Sequence, residues 1–194
     1  MIGGKIMAGK VYHIFARGVD KQKTFYDKTE CRQFLFYLNK SIRKYNLSLF
    51  AFALMGNHFH LLIKGDDVQQ AICELIKSYT GWFCHRHIGH GKVFDYPAQF
   101  VEKKLLKWQI DSLLYILNNP VAAGICGAHY CYEFCSYRFH TKRGSNLKSV
   151  IEIDTSFVTQ NFKNLADLKS ALQTKLAYQR LMDSKQQAWG LTNH

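Results

Sequence analysis

Two extended apolar runs meet at Gly56-Asn57: LSLFAFALM (47–55) and HFHLLIK (58–64). A Gly-Asn pair between two β-forming runs reads as a tight hairpin, and this constrains the fold more than any other stretch. Side chains alternate faces along a strand, so His58, His60 and Leu62 share one side while Phe59, Leu61 and Ile63 share the other. The second strand therefore carries two imidazoles side by side, anchored from behind by a hydrophobic face.

The flanking segments fit around that hairpin. KVYHIFARG (10–18) alternates, is rich in β-formers and reads as a first strand. After the polar loop VDKQKTFYD, residues 30–46 carry Phe34, Leu35, Leu38, Ile42 and Tyr45 at helical spacing, with Thr29 as N-cap. A second helix spans 67–88, a loop follows to 97, a short strand covers 98–104, and a third helix runs 105–119 and stops at Pro120. The order is α+β: a ferredoxin-like antiparallel sheet with helices on one face. TKRGSNLKS, after residue 141, reads as a linker, so the organisation is a domain over 1–141 and a helical tail over 142–194, with a helix at 165–189.

The chain has 26 Lys and Arg against 14 Asp and Glu, a formal charge of +12. That imbalance points to an anionic partner, with nucleic acid first. An apolar fraction of 47% supports a packed core and argues against disorder. No stretch approaches the ~18 uninterrupted apolar residues of a membrane span. The start lacks the apolar core of a secretion signal, so a cytoplasmic location is expected. Cys31, Cys73, Cys84, Cys126, Cys131 and Cys135 then read as reduced thiols. Cys126, Cys131, Cys135 and His129 form a candidate zinc cluster, although C-x4-C-x3-C lacks the paired C-x2-C knuckle.

The third helix yields a further candidate. At about 100° per residue, Leu106, Ile110, Leu113 and Leu117 form one apolar stripe, and Tyr115 lies about 180° from Leu106. Asp111 and Asn119 sit one turn before and after Tyr115 on its side. The tyrosine is thus turned out of its helix's own core seam, with Asn119 beside it.

ALMGNHFHLLIK, LLYILNNPVAAGI and YHIFARGVDKQKTFYD, in that spacing over roughly 10–140, resemble the single-tyrosine HUH transposases, most closely the REP-associated tyrosine transposases. FCSYRFH (134–140) is similar to that family's closing Ser-Tyr segment. Two departures stand out: Gly56 replaces a usual proline, and VFDYPAQFVEKK (93–104) is unlike the usual basic Gly-Arg-Phe-Lys stretch.

The resemblance implies the HUH endonuclease fold, related to that of RRM domains. It makes His58 and His60 metal ligands, Asn119 the third ligand and Tyr115 the nucleophile. It implies nicking and strand transfer of single-stranded DNA at hairpins through a 5′-phosphotyrosine, as in transposition. The implied cofactor is a divalent ion, Mn2+ or Mg2+, and imidazole ligands favour manganese slightly. A tyrosine with a pKa of about 10 needs such help to lose its proton. Expected DNA contacts are Arg17, Lys21, Lys23, Arg43, Lys103, Lys104, Arg138, Lys142 and Arg143, with Phe25, Tyr26, Tyr96 and Phe100 as candidate base-stacking rings. The protein is expected to act as a monomer or homodimer, away from membranes. The competing readings are a catalytically idle hairpin-DNA or RNA binder of the same fold, and a zinc-containing RNA-binding protein built on the cysteine cluster.

Overall fold

The computed structural model describes residues 9–88, 91–95, 97–141 and 144–188, with side chains as far as Met182. Strands β1 (Lys10–Arg17), β2 (Ser48–Met55), β3 (His58–Gly65) and β4 (Gln99–Glu102) form one antiparallel sheet in the order β2-β3-β1-β4. Helices α1 (Lys28–Lys44) and α2 (Val68–His87) complete the expected β-α-β-β-α-β order, followed by α3 (Leu106–Ala122), α4 (Ser156–Asn161) and α5 (Leu165–Ala188). The architecture is α+β with an antiparallel sheet, as the sequence pattern indicates.

α1 begins earlier than Thr29 because the stronger cap lies at Asp27. The Asp27 carboxylate accepts from the Glu30 backbone N–H at 3.0 Å, and Glu30 reaches back to the Asp27 N–H, a reciprocal capping box. Phe34, Leu35, Leu38 and Ile42 of α1 then join Leu75, Tyr79 and Phe83 of α2 against Phe59, Leu61 and Ile63 of β3. Phe34 is fully buried, with its ring 4.9–5.3 Å from those of Phe25, Phe59 and Tyr79. Phe34→Ala is expected to destabilise the fold by about 3–5 kcal/mol, read as a lowered urea midpoint; a loss under ~1 kcal/mol would contradict this packing.

Helices cover both faces of the sheet, rather than the one expected. The His58 side of β3 becomes apolar at Leu62, and a bulge between Leu49 and Ala51 turns Phe50 to that side along with Ala51 and Ala53. That apolar half-face needs its own cover. It is supplied by Leu113, Ile116 and Leu117 of α3, by Phe157 of α4, stacked 4.6 Å from Phe50, and by Leu168 and Leu172 of α5.

α3 does not stop at Pro120 but continues to Ala122. A proline this close to a helix end forfeits a single backbone hydrogen bond, to the Ile116 carbonyl, and the last turn is closed instead by Ala123 N–H on Asn119 O. The stretch expected as a linker is seated on the core from residue 144 onward. Leu147 and Ile151 are buried with α1 and α2, and Asp154 N–H donates to Leu49 O at 2.8 Å. Upstream, Leu54 N–H donates to Phe134 O and Phe52 N–H to Ser136 Oγ, so these segments occupy the outer edge of β2.

Candidate active site

β1 and β3 are the central strands, and their register sets Arg17 opposite His58, Phe15 opposite His60 and His13 opposite Leu62. Cross-strand partners share a face, so His13 and Arg17 join His58 and His60 on the α3 side. The His58 and His60 ring centroids are 5.2 Å apart and nearly perpendicular.

Each ring is held from behind. His58 Nδ1 lies 2.7 Å from Asn57 Oδ1, an acceptor, so Nδ1 carries the proton. His60 Nδ1 lies 3.1 Å from His13 Nε2. When Nδ1 of His60 donates to His13, both rings of the pair keep an unprotonated Nε2. Burial lowers the pKa of His58 to about 4, with the Arg17 charge adding to the effect. His60 falls to about 2, chiefly by burial, and His13 to about 4 by burial and then by Lys103. All three imidazoles are therefore neutral at pH 7.

α3 brings the phenol to them. Leu113, Ile116 and Leu117 press the helix onto the sheet, and Tyr115, 36% exposed, emerges at the edge of that seam. Its ring centroid is 5.4 Å from that of His60, at 89°, and 5.8 Å from that of His13. Asn119, one turn on and buried, is close enough to the His58 ring to oppose part of the pKa lowering that burial causes. Leu106, expected in the core stripe, is 54% exposed, because the sheet-facing part of α3 begins only near Ile110. A cavity of about 390 Å³ opens in front of His58, His60 and Tyr115, walled by Arg17, Asp95 and Gln99.

His58, His60, Tyr115 and Asn119 thus converge from one strand and one helix. Arg17 borders the same cavity, and Lys21 and Lys23 are exposed on the adjoining loop, where Asn57 Nδ2 donates to Lys21 O. Arg43 lies elsewhere, on α1 across the sheet, paired with Glu152. Arg138 sits in the turn beside the β2 edge, and Lys103 and Lys104 follow β4 at the far end of the sheet. Lys142, Arg143 and Tyr96 lie outside the described residues. Phe25 is buried in the α1–α2 core, and Phe100, paired with Ile14, packs against that core too, so neither ring faces the cavity. Tyr26 is exposed near the start of α1.

His13 went unread in the sequence; the only available signal was its place on a strand pairing with the H-x-H strand. The cysteine cluster does not assemble: Cys135 is buried, Cys131 is exposed, and His129 Nε2 instead meets Asn118 Oδ1 at 2.5 Å. Among the described residues no three His, Cys, Asp or Glu side chains gather for a metal. His13 stands behind His60, its Nε2 turned to the His60 Nδ1.

A search of solved structures gives this fold a counterpart. A REP-associated tyrosine transposase, solved bound to a REP hairpin, superposes with a TM-score of 0.60 at 16% identity, over 79% of this chain and 89% of that one. The chain has the fold of a REP-associated tyrosine transposase. A provisionally assigned transposase from Deinococcus radiodurans also matches, with a TM-score of 0.42 and 16% identity over 55% of this chain and 88% of the other. No protein-family profile matches the sequence, and no curated protein matches it.

Proposed function

We propose that this protein nicks single-stranded DNA beside a hairpin and transfers the cut strand, with Tyr115 as nucleophile and a 5′-phosphotyrosine as intermediate. The observation that carries the reading is the approach of the Tyr115 ring to His60 across the helix–sheet seam, in front of an open cavity. The hairpin bound to the structural neighbour supports the same class of ligand here, as does the charge of +12.

The donor set suits a divalent ion. His58 and His60 are neutral, each with its Nδ1 engaged, and the Asn119 amide joins them from the helix. Those three residues would hold manganese or magnesium, with the imidazoles favouring manganese. When bound, the ion would neutralise charge on a non-bridging phosphate oxygen.

The chain's own groups do the rest. Tyr115 Oη forms a bond to phosphorus while the bond from phosphorus to the 3′ oxygen breaks. The phenol releases its proton as it attacks, and the departing oxygen takes one up to become a free 3′-OH. Arg17, exposed at the rim, attracts the phosphate, and α3 holds the ring in line. The ester retains the energy of the broken linkage, so a second strand's 3′-OH can displace Tyr115 without an outside energy source.

Residues 134–136 and Asp154 fill the β2 edge, which supports a monomer over a sheet-paired dimer. Among the described residues no helix is long and apolar enough to cross a membrane, and a cytoplasmic place beside DNA fits the proposed substrate.

The test is a denaturing gel. Hairpin DNA with unpaired flanks, incubated with the protein and manganese, is expected to yield a covalent protein–DNA adduct that a chelator prevents. Binding without an adduct would leave an idle hairpin binder of the same fold.

A further inference from the structure

Two clefts beside the candidate active site share one lysine. The first, about 280 Å³, lies between α3 and β1 and is lined by His13, Lys103, Trp108, Asp111, Tyr115 and Lys175. The second, about 750 Å³, opens at the far end of the sheet and takes in Lys10, Lys64, Lys103, Lys104 and Gln109. Tyr115 also borders the cavity in front of His58 and His60, so the three openings succeed one another along α3. From Arg17 to Lys10 is seven residue steps of β1, about 23 Å at ~3.3 Å per step.

The lining of this trough is unusual for a structural gap. Trp108 is 48% exposed on the first turn of α3, a large ring left on the surface where nothing in the fold requires it. Lys64, Lys103 and Lys104 form no ion pair among the described residues, and Lys10 meets Glu102 only at 3.5 Å with its side chain 63% exposed. Asp154 and Glu102 also reach the far cleft, but the four lysines outnumber them. The helix N-terminus that opens there has no side-chain cap, so its backbone N–H groups add to the positive field. A phosphodiester chain matches this pattern: its charges meet spaced lysines, and a base without a pairing partner can lie on the indole.

We infer that the single-stranded DNA continuing from the scissile phosphate runs along the seam between α3 and the β1–β4 edge, stacks one base on Trp108 and ends in the lysine cleft. The path rests on the nicking reading given above and specifies the substrate of that same site. Duplex DNA cannot use the trough in this way, because its bases are already stacked on one another.

The test uses the full chain without divalent metal, so that no adduct forms. With Trp82→Phe and Trp189→Phe in place, Trp108 is the sole indole, and a 12-nucleotide oligo-dT is expected to quench its fluorescence on binding. Trp108→Ala should weaken binding about 5- to 150-fold, and Trp108→Phe should recover most of that loss. Lys64→Ala, Lys103→Ala and Lys104→Ala combined should lower the slope of log affinity against log salt by about 2, at ~0.7 per phosphate contact. No quenching together with a wild-type salt slope overturns the path, even if the manganese-dependent adduct still forms. Quenching and a reduced slope without any adduct keep the path and remove the nicking reading. Tighter binding of oligo-U than of oligo-dT overturns the assignment to DNA.

Discussion

Tyr115→Phe is expected to eliminate the covalent protein–DNA adduct of the proposed reaction while leaving the protein folded and able to bind hairpin DNA. The substitution removes one oxygen and keeps the ring that packs 5.4 Å from His60 and 5.8 Å from His13. Loss of the attacking atom is expected to cost at least about 10⁴-fold in the rate of strand cleavage, the scale set by removing a nucleophile from a preorganised site. Tyr115 is one-third exposed, so the change in stability should stay within about 0.5–1.5 kcal/mol. The measurement is a single-turnover time course with 5′- and 3′-labelled hairpin DNA, resolved under denaturing conditions. An adduct of wild-type yield from the phenylalanine variant would move the nucleophile elsewhere.

His60→Ala has the second largest expected effect, and it divides into two readouts. The variant removes one of the two proposed imidazole donors and leaves His13 Nε2, in a buried position, without its partner. Manganese binding, followed by the loss of the free-ion paramagnetic signal, should weaken at least 100-fold, and the adduct should vanish with it. His13→Ala leaves both donors but frees the His60 ring to turn, so manganese affinity should fall by a smaller ~10- to 100-fold. Equal losses in the two variants would make His13 a ligand in its own right; no loss at His13 would strip it of any supporting role. Arg17 tests the electrostatics separately, since it faces the same cavity without touching the donor set from behind.

The parts of the fold that were legible in the sequence are those where a single periodicity decides. The hairpin, its two faces and the placing of His58 with His60 follow from period-two alternation around Gly56-Asn57, and the register bears them out. The expulsion of Tyr115 from its helix's seam follows from the 3.6-residue turn. What remained hidden depends on competition between neighbours. Thr29 and Asp27 both qualify as caps, and Asp27 prevails because Glu30 completes its box. Pro120 forfeits one hydrogen bond wherever it sits, and with the helix ending at Ala122 the kink it imposes displaces little. Leu147 and Ile151 lie in a polar, glycine-containing stretch whose composition resembles a linker, yet two buried side chains suffice to seat it. The second helical layer was hidden by a bulge, which shifts the alternation of β2 by one residue and so escapes any regular pattern. His13 was invisible for a related reason: its meaning comes from a partner 47 residues away.

Asn57 occupies two roles at once, closing the turn between β2 and β3 and steadying the first imidazole after it. Lengthening that turn by a single amino acid would rotate the whole of β3 by half a period. Phe59 and Leu61 would then face the cavity, and both imidazoles would be driven into oil. The two-residue corner at 56–57 is locked in length, because there the chemistry and the architecture share one measure.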